Sequence, residues 1–321
     1  MIKLAIISPC YNEEAVLPES ISRLTALLDM LAEKGKINRD SFILFVNDGS
    51  RDRTWELIEQ YHATNHYVCG LSLACNVGHQ PAIMAGMDTA RSHCDAAITI
   101  DADLQDDLNA IEKMIDLFVE GFDVVYGVKI SRAGDSFLKR NSAFAFYKLQ
   151  KAMGVKAIYN HADFRLLSRK ALEHLCQYKE RNLYLRGLVP LLGLRAATVD
   201  DVIHERRAGQ SKYTLKKMLA LALDGITSFS IKPISLILGA GFLFLFISIG
   251  MFIYILHAYI IHVTIPGWTS IMLSIWFIGS GLLLAIGIIG QYIGKIYIEV
   301  KNRPRYYIDK ELWSKKEEDS H

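Results

Sequence analysis

The amino-acid sequence predicts an α/β domain with a mostly parallel sheet and helices on both faces, followed by a hairpin of two transmembrane helices. Two observations support this fold class. Across residues 1–130, short apolar runs alternate with longer helix-compatible stretches, as in proteins whose parallel strands are connected by helices. From Pro233 to Gly294 the chain contains no Lys, Arg, Asp or Glu, and one membrane-spanning helix needs only about 20 apolar residues.

Five apolar runs are the predicted strands, and four stretches between them are the predicted helices. In chain order the strands read KLAIIS, SFILFVND, YVCGLSL, AAITID and FDVVYG. The helical stretches run from Glu13 to Glu33, Arg53 to Thr64, Gln80 to Ser92 and Leu108 to Glu120. In open sheets of this kind, ligands bind beyond the carboxyl ends of the strands, so we expect the functional residues at that edge.

The composition argues against a wholly soluble protein and gives no sign of nucleic-acid binding. The chain has 321 residues, of which 51% are hydrophobic, with 36 Lys and Arg against 34 Asp and Glu. Such a balance lacks the basic excess that is typical of nucleic-acid binders. The five cysteines are scattered and form no CxxC pair, which fits a reducing cytosol better than a disulfide framework.

Two apolar runs, at residues 234–261 and 270–294, are the predicted membrane spans, with the turn signal Pro266-Gly267 between them. Basic residues flank the outer ends of the pair and are absent from the loop between them. They are Lys212, Lys216, Lys217 and Lys232 before the first span, and Lys295, Lys301, Arg303 and Arg305 after the second. Because positive charge marks the cytoplasmic side, both ends and the soluble body are predicted to be cytoplasmic. The alternative is a helical hairpin buried in a soluble core, although core helices are seldom this long and charge-free.

These features divide the chain into four segments. We predict a cytosolic domain at residues 1–212, a juxtamembrane helix at 213–232, the two spans at 233–294 and a cytosolic tail at 295–321. The juxtamembrane stretch mixes paired lysines with apolar residues at helical spacing. It could lie in the membrane interface or pack on the soluble body.

Polar residues follow three of the predicted strands and should meet at one edge of the sheet. SPCYNEE follows the first strand, Asn47-Asp48-Gly49-Ser50 the second, and Asp101-Ala-Asp103-Leu-Gln105 the fourth. The sequence has neither GxGxxG nor GxxxxGK[ST], the usual glycine-rich loops that bind phosphate. A divalent metal held by carboxylates is the alternative device for binding a diphosphate. Asp101 and Asp103 suit that role, although an acidic triplet alone also occurs in many ordinary surface loops.

The combination of PxYNE, NDGSxDxT and DADLQ at these separations resembles glycosyltransferase family 2 with the GT-A fold. Within that family it is most similar to the polyprenyl-phosphate transferases, the bactoprenol glucosyltransferases and dolichyl-phosphate mannose synthases. The further matching motifs are DFRL at residues 163–166, ERNL at 180–183, RRAGQSKY at 206–213 and DGITSF at 224–229.

The resemblance implies an inverting transferase that moves a sugar from a nucleotide sugar to undecaprenyl or another polyprenyl phosphate, for modification of cell-envelope glycans. UDP-glucose is our first choice of donor and UDP-N-acetylglucosamine the second. A multi-pass protein of the cell membrane is expected, as a homo-oligomer for which a tetramer is one option. The donor-binding residues implied by the resemblance are Pro9, Tyr11, Glu13, Asp48, Asp101, Arg206, Lys212 and Tyr213.

The same resemblance assigns Mg²⁺ or Mn²⁺ to Asp101, Asp103 and Gln105, and catalytic roles to Asp101, Asp103, Asp163, Arg206 and Lys212. Lys129, Arg132, Lys139 and Arg165 are the candidates for gripping the lipid phosphate; a solvated basic loop near anionic headgroups is the alternative for each. A phosphate monoester has a second pKa of about 6, so it needs no deprotonation at neutral pH. We therefore interpret Asp163 as a positioning group instead of a general base.

Two functions from other classes compete with this one. A processive polysaccharide synthase would need more spans and a QxxRW motif, which the chain lacks. A non-catalytic membrane scaffold on a transferase fold is disfavoured by the intact Asp101 and Asp103 pair. His79 and His161 are assigned no role, because a lone histidine is more often structural.

Overall fold

The computed structural model describes residues 1–129, 161–181, 183–202 and 267–313, together with single positions between 234 and 253. The described residues up to 202 and those from 303 onward belong to one compact unit. The described residues from 234 to 302 belong to a second unit.

The described part of the first unit contains one sheet of eight strands. They are β1 (Leu4–Cys10), β2 (Phe42–Asn47), β3 (Val68–Leu73), β4 (Ala96–Thr99), β5 (Val124–Lys129), β6 (His161–Ser168), β7 (Ala196–Asp201) and β8 (Ile308–Leu312). Their order across the sheet is β7-β5-β6-β4-β1-β2-β3-β8. The pairs β1–β2, β1–β4, β2–β3 and β5–β7 are parallel, whereas β6 and β8 run antiparallel to their neighbours. The mostly parallel α/β fold class is therefore confirmed.

Six helices of this unit lie within the described residues. They are α1 (Leu17–Glu33), α2 (Thr54–Thr64), α3 (His79–Ala90), α4 (Leu108–Val119), α5 (Arg169–Gln177) and α6 (Leu185–Leu191). The five predicted strands and four predicted helices are all confirmed, with one clear difference at the start of α1. That helix begins at Leu17 and not at Glu13, with Pro18 in its first turn. The backbone N–H groups of Glu13 and Glu14 are instead bonded to side chains of Thr54 and Asp52.

Strands β1, β2, β3 and β4 lie side by side in the sheet and belong to the hydrophobic core, because every one of their residues is buried. Full burial is expected for parallel strands that helices cover on both faces. Helix α3 packs on β1 and β2 through Gly86, where an added Cβ would lie 2.5 Å from Cγ2 of Ile7 and 2.9 Å from Cγ2 of Val46. This close approach fixes the position of α3, whose first residue, His79, lies at the carboxyl edge of the sheet beside Asp101.

Three strands, β6, β7 and β8, were not predicted from the sequence. Strand β7 lies at one edge of the sheet and pairs in parallel with β5. Strand β6 lies between β4 and β5 and pairs Arg165 with both Thr99 and Tyr126. Since β6 runs in the opposite direction, its first residues lie at the same edge as the last residues of β4 and β5. Strand β8 pairs with β3 at the other side of the sheet, so the end of the chain returns to the first unit.

The second unit contains α7 (Trp268–Val300), a helix of 33 residues. Its Phe277–Val300 part, with a mean hydropathy of 1.7, is the one helix among the described residues that is long and apolar enough to cross a membrane. Helix α7 covers the predicted second span. Most of the predicted first span and the whole predicted juxtamembrane helix lie outside the described residues, so the two-helix hairpin stays a prediction.

Candidate active site

The loops after β1 and β2 are held together where the donor nucleotide is expected. Asn12, with a positive φ of 55°, accepts a hydrogen bond from the Arg51 N–H at 2.8 Å, and its own N–H donates to Ser50 Oγ at 3.0 Å. Pro9 is buried within β1, whereas Tyr11 is 44% exposed. The ring of Tyr11 is thus accessible from solvent at the edge of the sheet.

Asp48 holds the turn that precedes α3. Its Oδ1 accepts the Val77 N–H at 2.7 Å and its Oδ2 accepts the Gly78 N–H at 3.0 Å. Gly78 has φ of 97°, a conformation that favours glycine. Burial raises the pKa of Asp48, while these two backbone hydrogen bonds act against the shift. Both carboxylate oxygens therefore hold the backbone of the two residues that precede His79, in addition to any contact with a nucleotide.

The loop after β4 carries the predicted metal ligands. Gln105 Nε2 donates to Asp103 Oδ2 at 2.6 Å, so these two side chains are adjacent. Between them Leu104 is buried and has a positive φ of 46°, which costs a non-glycine residue about 1–3 kcal/mol and is typical of functional loops. The Asp101 side chain is 52% exposed, yet the surrounding protein desolvates it, and this desolvation raises its pKa.

The donors in this loop suit a hard divalent cation. Carboxylate and carboxamide oxygens are the ligands that Mg²⁺ accepts, and Mg²⁺ commonly binds one or two carboxylates together with substrate phosphates and water. Asp101 and Asp103 would supply the carboxylates, and Gln105 would supply an amide oxygen. The described residues contain no group of three or more His, Cys, Asp or Glu arranged to hold a metal.

A buried acidic layer supports this loop. Asp106 is buried and its Oδ1 lies 3.5 Å from Lys129 Nζ. Burial raises the pKa of Asp106 to about 7, and the neighbouring charges of Asp101 and Asp201 contribute. Asp201, at the end of β7, accepts the Asp107 N–H at 2.8 Å. The loop after β4 is thereby connected to the last residues of β5 and β7.

Asp163 is enclosed by positively charged and amide groups. Its Oδ1 forms an ion pair with Arg165 Nη2 at 2.6 Å, and Arg165 is 0% exposed. Its Oδ2 lies 3.5 Å from His79 Nε2, 3.5 Å from Arg186 Nη2 and 3.4 Å from Gln80 Nε2. Burial alone would raise the pKa of Asp163, but the hydrogen bond from His79 and the charges of the two arginines hold it well below its usual range. Asp163 is thus an ionised carboxylate with both oxygens engaged.

His79 connects Asp163 to the predicted metal ligands. Its Nε2 also lies 3.6 Å from Asp101 Oδ1. Burial would lower the pKa of His79, but the contacts with Asp163 and Asp101 raise it. His161, the other histidine considered from the sequence, starts β6 opposite Val128.

The structure brings together the predicted residues Asp101, Asp103, Gln105, Lys129 and Asp163. Arg165, predicted to contact the acceptor phosphate, is fully buried and bonded to Asp163 and Leu185, so this arrangement does not place it where an acceptor could reach. The remaining predicted residues, Arg132, Lys139, Arg206, Lys212 and Tyr213, lie outside the described residues.

Sequence reasoning missed five residues of the site: His79, Gln80, Asp106, Arg186 and Asp201. The position of His79 and Gln80 directly after Val77-Gly78, where α3 starts, was the available signal for those two. Arg186 follows the ERNL motif closely in sequence. No sequence pattern connects Asp106 with Asp201, because only the folded sheet brings them together.

The chain is similar to several known proteins. An uncharacterized glycosyltransferase of Bacillus subtilis, YkoT, is 50% identical over 315 residues, covering 97% of this chain and 92% of its own. The bactoprenol glucosyl transferase of Shigella phage SfII is 37% identical over 314 residues, covering 96% of this chain and 98% of its own. Among solved structures, the mannosyltransferase PcManGT of Pyrobaculum calidifontis aligns with 71% of this chain and 63% of its own, at 16% identity and a TM-score of 0.47.

The family model described as Glycosyl transferase family 2 matches residues 5–176, which is more than half of the chain. The matched region contains β1 to β6 and the carboxylates Asp101, Asp103 and Asp163. The chain is a glycosyltransferase and belongs to glycosyltransferase family 2.

Proposed function

We propose that this glycosyltransferase transfers a sugar from a nucleotide sugar to a polyprenyl phosphate. The observation that carries the proposal is the state of Asp163, an ionised carboxylate whose two oxygens already contact Arg165, Arg186 and His79. Such a group is poorly suited to remove a proton from a sugar hydroxyl, which needs a general base. It suits an acceptor that arrives as an anion. Full-length relatives named bactoprenol glucosyl transferases support the lipid acceptor and glucose.

The nucleotide sugar would bind to the loops after β1, β2 and β4. Tyr11, Glu13 and Asp48 would bind the base and ribose, and Asp101, Asp103 and Gln105 would hold Mg²⁺ or Mn²⁺. When bound, that cation supplies Lewis-acid neutralisation of the departing diphosphate. UDP is the nucleotide we propose, with glucose as the first sugar and N-acetylglucosamine as the second. By resemblance, Arg206, Lys212 and Tyr213 would close over the donor and exclude water.

The acceptor side uses the phosphate as its own nucleophile. At neutral pH a phosphate monoester is mostly dianionic, since its second pKa is about 6. One of its oxygens forms the new bond to the anomeric carbon while the bond from that carbon to the diphosphate oxygen breaks, and the electron pair leaves with the nucleotide diphosphate. The configuration at the carbon is inverted. Asp163 would orient the hydrogen-bond donors that surround it, and Lys129, Arg132 and Lys139 would attract the acceptor phosphate.

The course of the chain supports two membrane crossings. The first unit contains both residue 202, before the apolar segment, and residues 303–313, after it, and β8 is hydrogen-bonded to β3. A chain that leaves a unit for the bilayer and returns to the same unit must cross an even number of times. If α7 is one crossing, residues 203–266 supply another. We propose a cell-membrane protein with the catalytic unit in the cytoplasm.

Release of UDP by the full-length protein in membranes tests the function. We expect release that depends on both a polyprenyl phosphate and a divalent cation, with UDP-glucose as the best donor of a panel. The matched control is the same polyprenol without its phosphate, which should not stimulate release. A polymeric product would indicate a processive synthase, and no release with any donor would indicate a scaffold.

A further inference from the structure

Asp163 contacts the guanidinium groups of two arginines, which differ in their burial and in their distance from the carboxylate. Arg165 is fully buried and binds Oδ1 at 2.6 Å. Arg186 reaches the other oxygen, Oδ2, at 3.5 Å, and its side chain is 29% exposed. The first contact is a close ion pair inside the protein, whereas the second is a long contact at the border of the cleft. Arg165 already compensates the charge of Asp163, so the Arg186 guanidinium can interact with a further anion.

The backbone beside Arg186 is fixed from two directions. The Leu185 N–H donates to Gln80 Oε1 at 2.9 Å, and the Leu185 carbonyl accepts from Arg165 Nη1 at 3.3 Å. Side chains of α3 and β6 thus hold the first residue of α6. Preorganisation of this kind lowers the entropic cost of binding a ligand, because only the guanidinium itself has to reorient.

Three donors converge on one point at this border. Arg186 Nη2, His79 Nε2 and Gln80 Nε2 all lie 3.4–3.5 Å from Asp163 Oδ2. Each distance is longer than the 2.7–3.2 Å that is usual for an N–H···O hydrogen bond. Three long contacts to a single oxygen leave each donor able to form a shorter bond to an incoming oxygen atom. A phosphate, with three terminal oxygens, matches such a convergent set.

One series of contacts connects Arg186 with the loop after β4. His79 Nε2 lies 3.6 Å from Asp101 Oδ1 and 3.5 Å from Asp163 Oδ2, the oxygen that Arg186 Nη2 also contacts at 3.5 Å. An anion bound by Arg186 would therefore lie near the predicted metal ligands, which would serve the departing diphosphate.

We propose that Arg186 binds the phosphate group of the acceptor directly and positions it for attack, with Gln80 and His79 beside it. The proposal rests on the function proposed above and adds a residue that the sequence did not indicate. A guanidinium can contact two phosphate oxygens at once in a fixed plane, which a lysine ammonium cannot do. Arg186 thus replaces the buried Arg165 as the acceptor-binding arginine of this region.

Steady-state kinetics of full-length variants in nanodiscs test this role, with polyprenyl phosphate and nucleotide sugar varied separately. For Arg186→Gln we expect the KM for polyprenyl phosphate to rise about ten- to a hundredfold, while the KM for the nucleotide sugar changes less than about twofold. Arg186→Lys should show a smaller rise. Added guanidinium ion should partly restore Arg186→Ala, which a purely structural role would not allow. The matched control is Arg91→Gln at the end of α3, where Arg91 is exposed and pairs with Asp88.

Each other outcome has a distinct meaning. A rise confined to the KM for the nucleotide sugar would overturn the proposal in favour of a contact with the donor diphosphate. Unchanged KM values would overturn it outright. If Arg186→Gln melts at a temperature far below that of the wild type, its KM values are not informative, and the test then depends on Arg186→Lys and on the guanidinium rescue of Arg186→Ala. If Arg186→Lys shows no smaller rise in KM and guanidinium ion restores no activity, the proposed role of Arg186 is rejected. A wild-type protein that does not use polyprenyl phosphate at all would reject the proposed function and not this assignment of Arg186 alone.

Discussion

Asp163→Asn is the substitution that separates a positioning carboxylate from a general base. Asparagine keeps the shape of the side chain and an oxygen acceptor at Oδ1, but it removes the charge that faces Arg165 at 2.6 Å. Arg165 is 0% exposed, and leaving a buried charge without its partner costs about 3–5 kcal/mol. Because the amide oxygen still accepts a hydrogen bond, we expect a loss of about 2–4 kcal/mol in the free energy of unfolding. Natural domains have about 5–15 kcal/mol, so the variant should still fold.

Thermal unfolding of the purified full-length protein measures the first consequence. For a domain of about 200 residues, each kcal/mol shifts Tm by about 2–4 °C, so the expected decrease is roughly 4–16 °C. The matched control is Asp95→Asn, because Asp95 forms its ion pair with Arg169 at the protein surface. Exposed pairs contribute about 0–1 kcal/mol, and this control should change Tm little. A Tm for Asp163→Asn equal to that of the control would refute the buried charge pair.

The pH dependence of the rate measures the second consequence. The cations around Asp163 hold its pKa well below the usual range, so Asp163 stays ionised at every pH near neutrality. The acidic limb of the rate should then follow the acceptor phosphate, near pH 6, and persist in Asp163→Asn. If that limb disappears in the variant while the KM for the acceptor is unchanged, Asp163 is the titrating base and our interpretation is wrong.

Three further predictions concern the metal, the topology and the buried acid. Asp103→Asn should lower turnover by orders of magnitude without changing Tm, and EDTA should silence the wild type; full activity in EDTA would contradict the metal site. A cysteine placed between Val263 and Ser270 should react with a membrane-impermeant thiol reagent outside the cell, whereas one near Lys310 should not, and the reverse labelling would overturn the proposed orientation. Because burial raises the pKa of Asp106 from 3.8 to about 7, its proton stabilises the fold at low pH, and this contribution is lost as pH rises from about 4 through 7. At about 1.4 kcal/mol per pKa unit, the difference between 3.8 and about 7 corresponds to roughly 4 kcal/mol. Asp106→Asn should therefore stabilise the metal-free protein by up to about 4 kcal/mol at pH 8 and hardly at pH 4; an equal effect at both pH values would contradict this.

The sequence was sufficient to predict strands β1 to β5 and insufficient to predict β6, β7 and β8. Strands β1 to β4 are runs of mostly apolar residues because helices cover both faces of the sheet. Such runs can be recognised in the sequence without knowledge of the fold. Strand β6 reads HADFRLLS, with two charged residues in its middle. Arg165 is buried there only because Asp163 neutralises it, and such a pairing follows from the fold, not from local pattern. Strand β8 reads IDKEL, a polar edge strand without an apolar alternation that could predict it.

The same distinction applies to the site. The rule that ligands bind beyond the carboxyl ends of parallel strands indicated Asp101, Asp103 and Asp48 from the sequence alone. His79 and Arg186 start or nearly start helices that are distant in sequence, and they meet only because β6 runs in reverse and presents Asp163 at that edge. Sequence reasoning therefore identified the carboxylates that follow the strands but missed the side chains of α3 and α6 that contact Asp163.

The carboxylates and the side chains of α3 and α6 both matter for the proposed reaction, because both substrates carry phosphate. Two dianions about 7 Å apart repel each other by roughly 9 kcal/mol at an effective dielectric constant of about 20, which would slow attack by many orders of magnitude if it were not offset. The acidic loop of Asp101 and Asp103 cannot offset it without a bound cation, whereas Arg186 carries its positive charge permanently. One series of contacts through His79 and Asp163 connects these two features. In the proposed reaction the bound cation would compensate the charge of the departing diphosphate, and Arg186 would compensate the charge of the acceptor phosphate.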